Sequence, residues 1–220
     1  MSVNLQKGQK VDLRKSDGGQ LTKVLVGLGW DEAGAQSGGF FRSLFKGAEQ
    51  DIDCDASAFL CKDGKLKAMG DIVYFGNLTH DSGAVQHMGD NLTGAGEGDD
   101  EQIAVDLSRL PPEYDKIIFA VNIYRAKQRH QHFGMIKNAF IRICDDKGTE
   151  MCKYDLSENY DDMTAMVFGE MYRKDGAWKF NAIGQPTTDS DIASLSSRFS
   201  TLSSAKSSVV FWRNSCISRV

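Results

Sequence analysis

Long apolar runs are missing from this 220-residue chain. No stretch of about 18 apolar residues is present to span a bilayer, and the amino-terminal MSVNLQKGQKVDLRK lacks the apolar centre of a secretory signal. The expected compartment is therefore the cytoplasm, with no transmembrane segment. A basic stripe is absent as well: 26 Lys and Arg stand against 30 Asp and Glu, for a net charge of −4. Phosphate binders normally cluster cations, so nucleic acid is not expected as the main partner.

The five cysteines, Cys54, Cys61, Cys144, Cys152 and Cys216, form no CxxC pair, and their odd number fits free buried thiols better than a disulfide framework. Zinc would want Cys and His ligands at tight spacings that the chain does not offer. There is no GxSxG elbow and no phosphate-cradling glycine loop. Ser57 and Cys54 sit beside three acids, which weaken a thiol as a nucleophile by raising its pKa. With only four histidines, His130 and His132 of RHQHF read as a surface pair before they read as a transition-metal site. Asn77 and Asn91 each begin an NLT sequon, which carries no meaning without secretion. The residues therefore predict no catalysis. A carboxylate pair of the glycosidase kind would also need aromatic platforms and an acid of raised pKa that cannot be placed here.

What is present is β structure. A chain of this length can bury roughly 70% of its unfolded surface, enough for a core without staples, and 41% of its residues are hydrophobic. From Leu21 to about Gly184, short apolar or alternating runs are separated by turn signals. LTKVLVGLGW, SAFLC, DIVYFG, QIAVDL, KIIFAVNIY, NAFIRIC, MCKYDL, TAMVFGEMYR and WKFNAIG are strand-sized and rich in β-branched or aromatic residues. They predict an all-β-dominated fold, a β-sandwich of two antiparallel sheets with a few short flanking helices. Asp63-Gly64 and Asp175-Gly176 suit tight hairpins. Strict alternation in TAMVFGEMYR would place Met166, Phe168 and Glu170 on one face, with Val167, Gly169 and Met171 on the other.

Two segments stand apart. Between Trp30 and Asp51, Phe40, Phe41, Leu44 and Phe45 fall at helix-like spacing, which reads as a short docked helix or a partner-binding patch. After Pro186 the chain turns serine-rich. The expected division is a sandwich domain over 1–186 and, over 187–220, a helix in DSDIASLSSRF and a tail that pack on it or trail from it.

The chemistry of the chain gathers in GDNLTGAGEGDDEQ, residues 89–102. Asp90, Glu97, Asp99, Asp100 and Glu101 repel one another there, and Lys and Arg are absent from Asp71 to Ser108. Such crowding in an ordered loop needs a cation or a basic partner. A second cluster, Asp51, Asp53 and Asp55 in DIDCDASAF, would form a charged ridge at about 6 to 7 Å spacing if extended. Calcium fits both, since it takes roughly 6 to 8 hard oxygens and tolerates irregular loops, whereas magnesium wants fewer protein ligands and a stricter octahedron. An EF-hand is excluded, because Ala56 occupies the place of the required turn glycine and Lys62 that of the bidentate Glu. The alternative is a metal-independent scaffold whose acidic end binds a basic partner.

Together VGLGWD, DIDCDASAF, GDNLTGAGEGDDE, DLSRLP, NAFIRI, YDLSE and TAMVFGEMYR resemble, in order and from Ser2 to about Gly184, the TerD-type tellurium-resistance and general-stress proteins of bacteria. The resemblance implies a two-sheet sandwich with about two Ca2+ ions in acidic loops at one end, no catalysis, and partners among other stress-response proteins. It carries ligand roles onto Asp53 and Asp55 of the DxDAS match and onto Asp90, Asn91, Thr93, Gly94, Glu97, Gly98, Asp99, Asp100 and Glu101 of the long loop. Asp31, after GLGW, would close a site from a neighbouring loop. Ala95 stands where many of the family carry an acid, which implies one ligand fewer. The Phe-rich insertion is longer than in compact members, and the serine-rich end departs from the expected family ending.

Overall fold

The computed structural model describes residues 2–15, 18–32, 52–90, 98–156, 158 and 160–200. The Phe-rich segment with Phe40, Phe41, Leu44 and Phe45, Asp51, the loop residues Asn91, Thr93, Gly94 and Glu97, the side chain of Asp90, and the tail with Cys216 lie outside the described residues.

The described residues form twelve strands in chain order: β1 (Val3–Leu5), β2 (Lys10–Asp12), β3 (Lys23–Glu32), β4 (Cys54–Lys62), β5 (Ile72–Val73), β6 (Val85–Asp90), β7 (Glu101–Asp106), β8 (Tyr114–Ile123), β9 (Ile136–Asp145), β10 (Glu150–Asp155), β11 (Ala165–Lys174) and β12 (Ala177–Thr187). Among the described residues two α-helices accompany them, the single turn α1 (Ala126–Arg129) and α2 (Ile192–Phe199). One sheet runs β1-β10-β9-β3-β7-β6 and the other β2-β12-β11-β8-β4-β5. Every pair within them is antiparallel except β1 with β10. The fold is the expected two-sheet β-sandwich.

Every second side chain along each strand points between the sheets. Val24, Val26 and Leu28 of β3, Ile103 and Val105 of β7, and Ile141 and Ile143 of β9 face Ala56, Ala58 and Leu60 of β4, Phe119 and Val121 of β8, and Met166 and Phe168 of β11. A second apolar cluster lies on the outer face of the β4-containing sheet, where Phe59, Cys61, Ile118, Ala120 and Val167 meet Leu195 and Phe199 of α2. That cover explains why SAFLC is apolar without alternation: both faces of β4 are buried. Asp191 begins α2 with a capping box, accepting from the Ser194 N–H at 2.8 Å while the Ser194 hydroxyl receives the Asp191 N–H at 3.3 Å.

Both Asp-Gly dipeptides turn with positive φ at each residue, 53° and 69° at Asp63-Gly64, 53° and 74° at Asp175-Gly176. These are the dihedrals of tight hairpins, and Lys174 pairs with Ala177 across the second. Strict alternation fails in β11. The register against β8 and β12 shifts between Val167 and Gly169, so Met171, not Glu170, shares the core with Met166 and Phe168. The inserted residue of a bulge reverses the phase of everything beyond it. Glu170 instead pairs with Lys116 at 2.7 Å.

The RHQHF histidines do not share a strand face. His130 ends α1 at a left-handed φ of 55°, and His132 lies 3.8 Å from Asp161. The buried histidines are His80 and His87. His80 lies 3.4 Å from Asp71, which also accepts the Tyr114 hydroxyl at 2.6 Å.

Candidate functional site

The acidic clusters meet at one end of the sandwich, where β3 ends and β4 and β7 begin. The β3–β7 ladder brings Leu28 opposite Glu101. One step further, Asp100 donates its N–H to the Leu28 carbonyl at 2.8 Å, and its carboxylate accepts the Trp30 N–H at 2.7 Å. Asp100 is thus fastened to the GLGW segment by main chain and side chain together. Burial raises the Asp100 pKa, the Trp30 N–H opposes that rise, and the charges of Asp31, Asp99 and Glu101 add to it.

Asp99 turns the other way. Arg142 donates to it at 2.7 Å and Gln102 at 2.9 Å. Gly27, Gln102 and Arg142 are register partners across β3, β7 and β9, and the Asp99 carboxylate lies over Gly27, where a Cβ would overlap it. At Gly29 a Cβ would meet the Phe140 ring. The two glycines of GLGW therefore make room for a carboxylate and for an aromatic ring.

Glu101 points between the sheets. Its carboxylate accepts the Ala56 N–H of β4 and lies 3.5 Å from His87 of β6, and both side chains are buried. One carboxylate thus ties three strands together at this end. Beside it, Cys54 has its thiol pushed well above the ordinary value, first by burial and then by Glu101, Asp55, Asp53 and Asp100.

Asp31 accepts from Asn138 at 2.7 Å. Asp31, Asp100, Gly98 and Asn138 line a cleft of about 730 Å³ whose other wall is Trp30, Phe140, Arg142 and Lys153. Asp55 lines a different cavity, on the α2 side of the other sheet, while the Asp53 carbonyl receives the Tyr124 N–H at 2.7 Å. The expected ligand residues thus divide: Asp31 and Asp100 share a cleft, Asp53 lies exposed nearby, Asp99 is held by Arg142, and Glu101 is turned inward. Among the described residues, no group of three or more His, Cys, Asp or Glu side chains is placed to hold a metal ion.

Sequence reasoning passed over Arg142, Gln102, Asn138 and His87. Gly27 held the signal for the first two, because a glycine in mid-strand marks a close approach by something else. Nothing local marked His87.

A TerD domain family profile matches residues 1–199, reaching past Gly184 to the end of α2. The chain is 48% identical over 200 residues to stress response protein SCP2 of Bacillus subtilis (strain 168), covering 90% of this chain and 100% of that one. It is 46% identical over 187 residues to tellurium resistance protein TerD of Serratia marcescens, covering 84% and 91%. Among solved structures, SAV2460, of unknown function, matches with a TM-score of 0.61 at 22% identity over 80% of this chain and 95% of that one. A homologue of telluride resistance protein (TerD), SCO6318 from Streptomyces coelicolor A3(2), matches at 0.58 and 20% over 79% and 94%. These two share its fold. None of these names carries a catalytic activity. With the profile spanning all the described strands and both α-helices, this chain belongs to the TerD domain family.

Proposed function

We propose that this protein is a cytoplasmic, non-catalytic stress-response protein of the tellurium-resistance type, whose acidic end binds about two Ca2+ ions and so orders a surface for a partner among other stress-response proteins. The observation that carries the reading is Asp100, a carboxyl with its pKa raised by burial and by the charges of Asp31, Asp99 and Glu101. Of the two cations on the cleft wall, Arg142 is spent on Asp99 and Glu150 and Lys153 on Asp155. A divalent ion would relieve that repulsion.

The donors fit calcium in kind. Asp31, Asp53 and Asp100 offer hard carboxylate oxygens, and the loop sequence adds Asp90, Asn91, Thr93, Glu97 and the carbonyls of Gly94 and Gly98. Asp99 and Glu101 already hold Arg142 and the Ala56 N–H, so their part is to brace the strands from which the others reach out. The absence of a three-ligand group among the described residues makes residues 91–97 necessary to any full shell. Binding would stabilise the fold by about 2.7 kcal/mol at a free ion concentration about 100 times the dissociation constant.

The test is calorimetry of chelator-stripped protein with calcium and then magnesium, paired with thermal melts. Saturable calcium heat with a raised melting temperature is expected, and both should disappear in Asp100→Ala. A folded protein with neither heat nor shift would sink the metal reading and leave the acidic end as a salt-sensitive docking face for a basic protein.

A further inference from the structure

His87 is buried on β6, and its two ring nitrogens face two different parts of the acidic end. Nδ1 accepts the Gly89 N–H at 3.0 Å. An imidazole nitrogen that accepts a main-chain N–H carries no proton, so in the neutral ring the proton sits on Nε2. Nε2 faces the Glu101 carboxylate at 3.5 Å, and no hydrogen bond reaches that nitrogen among the described residues. The N–H dipole therefore attracts the carboxylate across a gap slightly longer than a hydrogen bond. His87 stands between a brace and a turn.

The turn is where β6 stops following β7. Their register holds from Val85 to His87 and shifts before Asp90 meets Glu101, and within the shift Gly89 takes a left-handed φ of 81°. A bulge of this kind re-aims its strand. A Cβ at Gly89 would touch nothing within 4 Å, so the dihedral, and not crowding, asks for glycine there. A side chain that accepts the N–H two residues on closes a turn of the Asx kind, a part that His87 plays here with a buried ring. Beyond the turn, Asp90 and Glu101 are the register pair that flanks residues 91–100. One side chain thus touches both flanks, Gly89 through Nδ1 and Glu101 through Nε2.

We propose that His87 is a positioning residue for the acidic end: Nδ1 sets the turn at Gly89 that aims the chain into residues 91–97, and Nε2 steadies Glu101 where the chain returns. The proposal rests on the metal reading for the ion that benefits, whereas the turn belongs to the metal-free protein. Groups that orient a ligand shell from behind typically change metal affinity by about 10- to 100-fold when lost.

Three variants separate the two nitrogens. His87→Asn keeps an acceptor near the place of Nδ1 and gives up ring volume, His87→Gln reaches toward Glu101 without that acceptor, and His87→Phe keeps the volume with neither contact. The readouts, on the full chain, are the Gly89 amide exchange rate by NMR in chelator, the calcium dissociation constant by calorimetry, and the urea midpoint. Gly89 exchange should quicken roughly tenfold in His87→Phe and His87→Gln and stay slow in His87→Asn. Calcium should bind about tenfold more weakly to His87→Phe and His87→Gln than to His87→Asn. Loss of packing alone would give the opposite order, because Asn leaves the larger void. Exchange and calcium affinity that follow the urea midpoint, or a Gly89 amide equally slow in all three variants, would overturn the proposal. No calcium heat from the parent protein, with the expected order of exchange, would sink the metal reading alone. Calcium heat from the parent with the same affinity in all three variants would sink the positioning role alone.

Discussion

The carboxylate of Asp99 lies where a side chain at Gly27 would have to go. The acid cannot swing aside without losing Arg142 at 2.7 Å and Gln102 at 2.9 Å. Gly27→Ala should therefore destabilise the protein by about 1 to 3 kcal/mol, as overpacking does, and release Arg142. Urea denaturation measures the first effect, and an unchanged midpoint would show that Asp99 has another place to go.

Glu101 makes a sharper case, because its removal orphans a donor. Glu101→Ala leaves the buried Ala56 N–H without its acceptor and His87 without its neighbour. The expected loss is about 2 to 4 kcal/mol, from the broken charged hydrogen bond and the space left behind. Glu101→Gln, which keeps an acceptor and the volume, should cost less. Equal losses for the two variants would assign the effect to charge alone.

Asp100 gives the pH dependence. Its native pKa is raised above the ordinary 3.8, first through burial, so the folded state holds its proton more tightly than the unfolded state does. Its ionisation therefore weakens the fold as pH rises through the native pKa, and that penalty disappears below about 3.8. In chelator, Asp100→Asn should melt above the parent protein at neutral pH, with the difference closing on acidification. A difference independent of pH would refute the linkage. In calcium the order should reverse, because the variant loses a donor.

The thiols should be inert. Burial pushes Cys61 and Cys152 up to about 12, and Cys54 lies well above its usual range. Iodoacetamide mapped by mass spectrometry should leave all three unlabelled at neutral pH until urea is added. Rapid native labelling of any of them would reopen a thiol-based chemistry.

Leu195 is fully buried against the outer face of the β4-containing sheet. Leu195→Ala should cost about 2 to 5 kcal/mol, and Asp191→Ala about 1 kcal/mol through the lost cap. If both were neutral in denaturant melts, α2 would be an appendage with no share in the domain's stability.

The long strands were legible because burial repeats along them. Val24, Val26 and Leu28 alternate with Leu25, Gly27 and Gly29, and that period survives in the structure. β1 and β2 escaped because three residues carry no period, and β6 because only Val85 and a histidine, His87, are buried along it. The bulge at Phe168 had one local trace, Gly169 in mid-strand, which does not by itself tell a bulge from a close approach. At the acidic end the residue types were readable and their directions were not. Asp99 goes outward because Arg142 waits across two strands, and Glu101 goes inward because the Ala56 N–H does. Those partners are 43 and 45 positions away, beyond anything a local pattern can encode.

The two short strands near the amino terminus have a consequence for the order of assembly. Val3 pairs with Cys152 on one sheet and Asp12 with Lys179 on the other, so the first-made segments are edge pieces for strands made near the end. During synthesis they must wait, unpaired, until β10 and β12 have left the ribosome. Contacts of such sequence separation come late and at a high entropic cost. Adding β1 and β2 at one edge of each sheet is thus a late event, performed by strands that precede their partners in the chain.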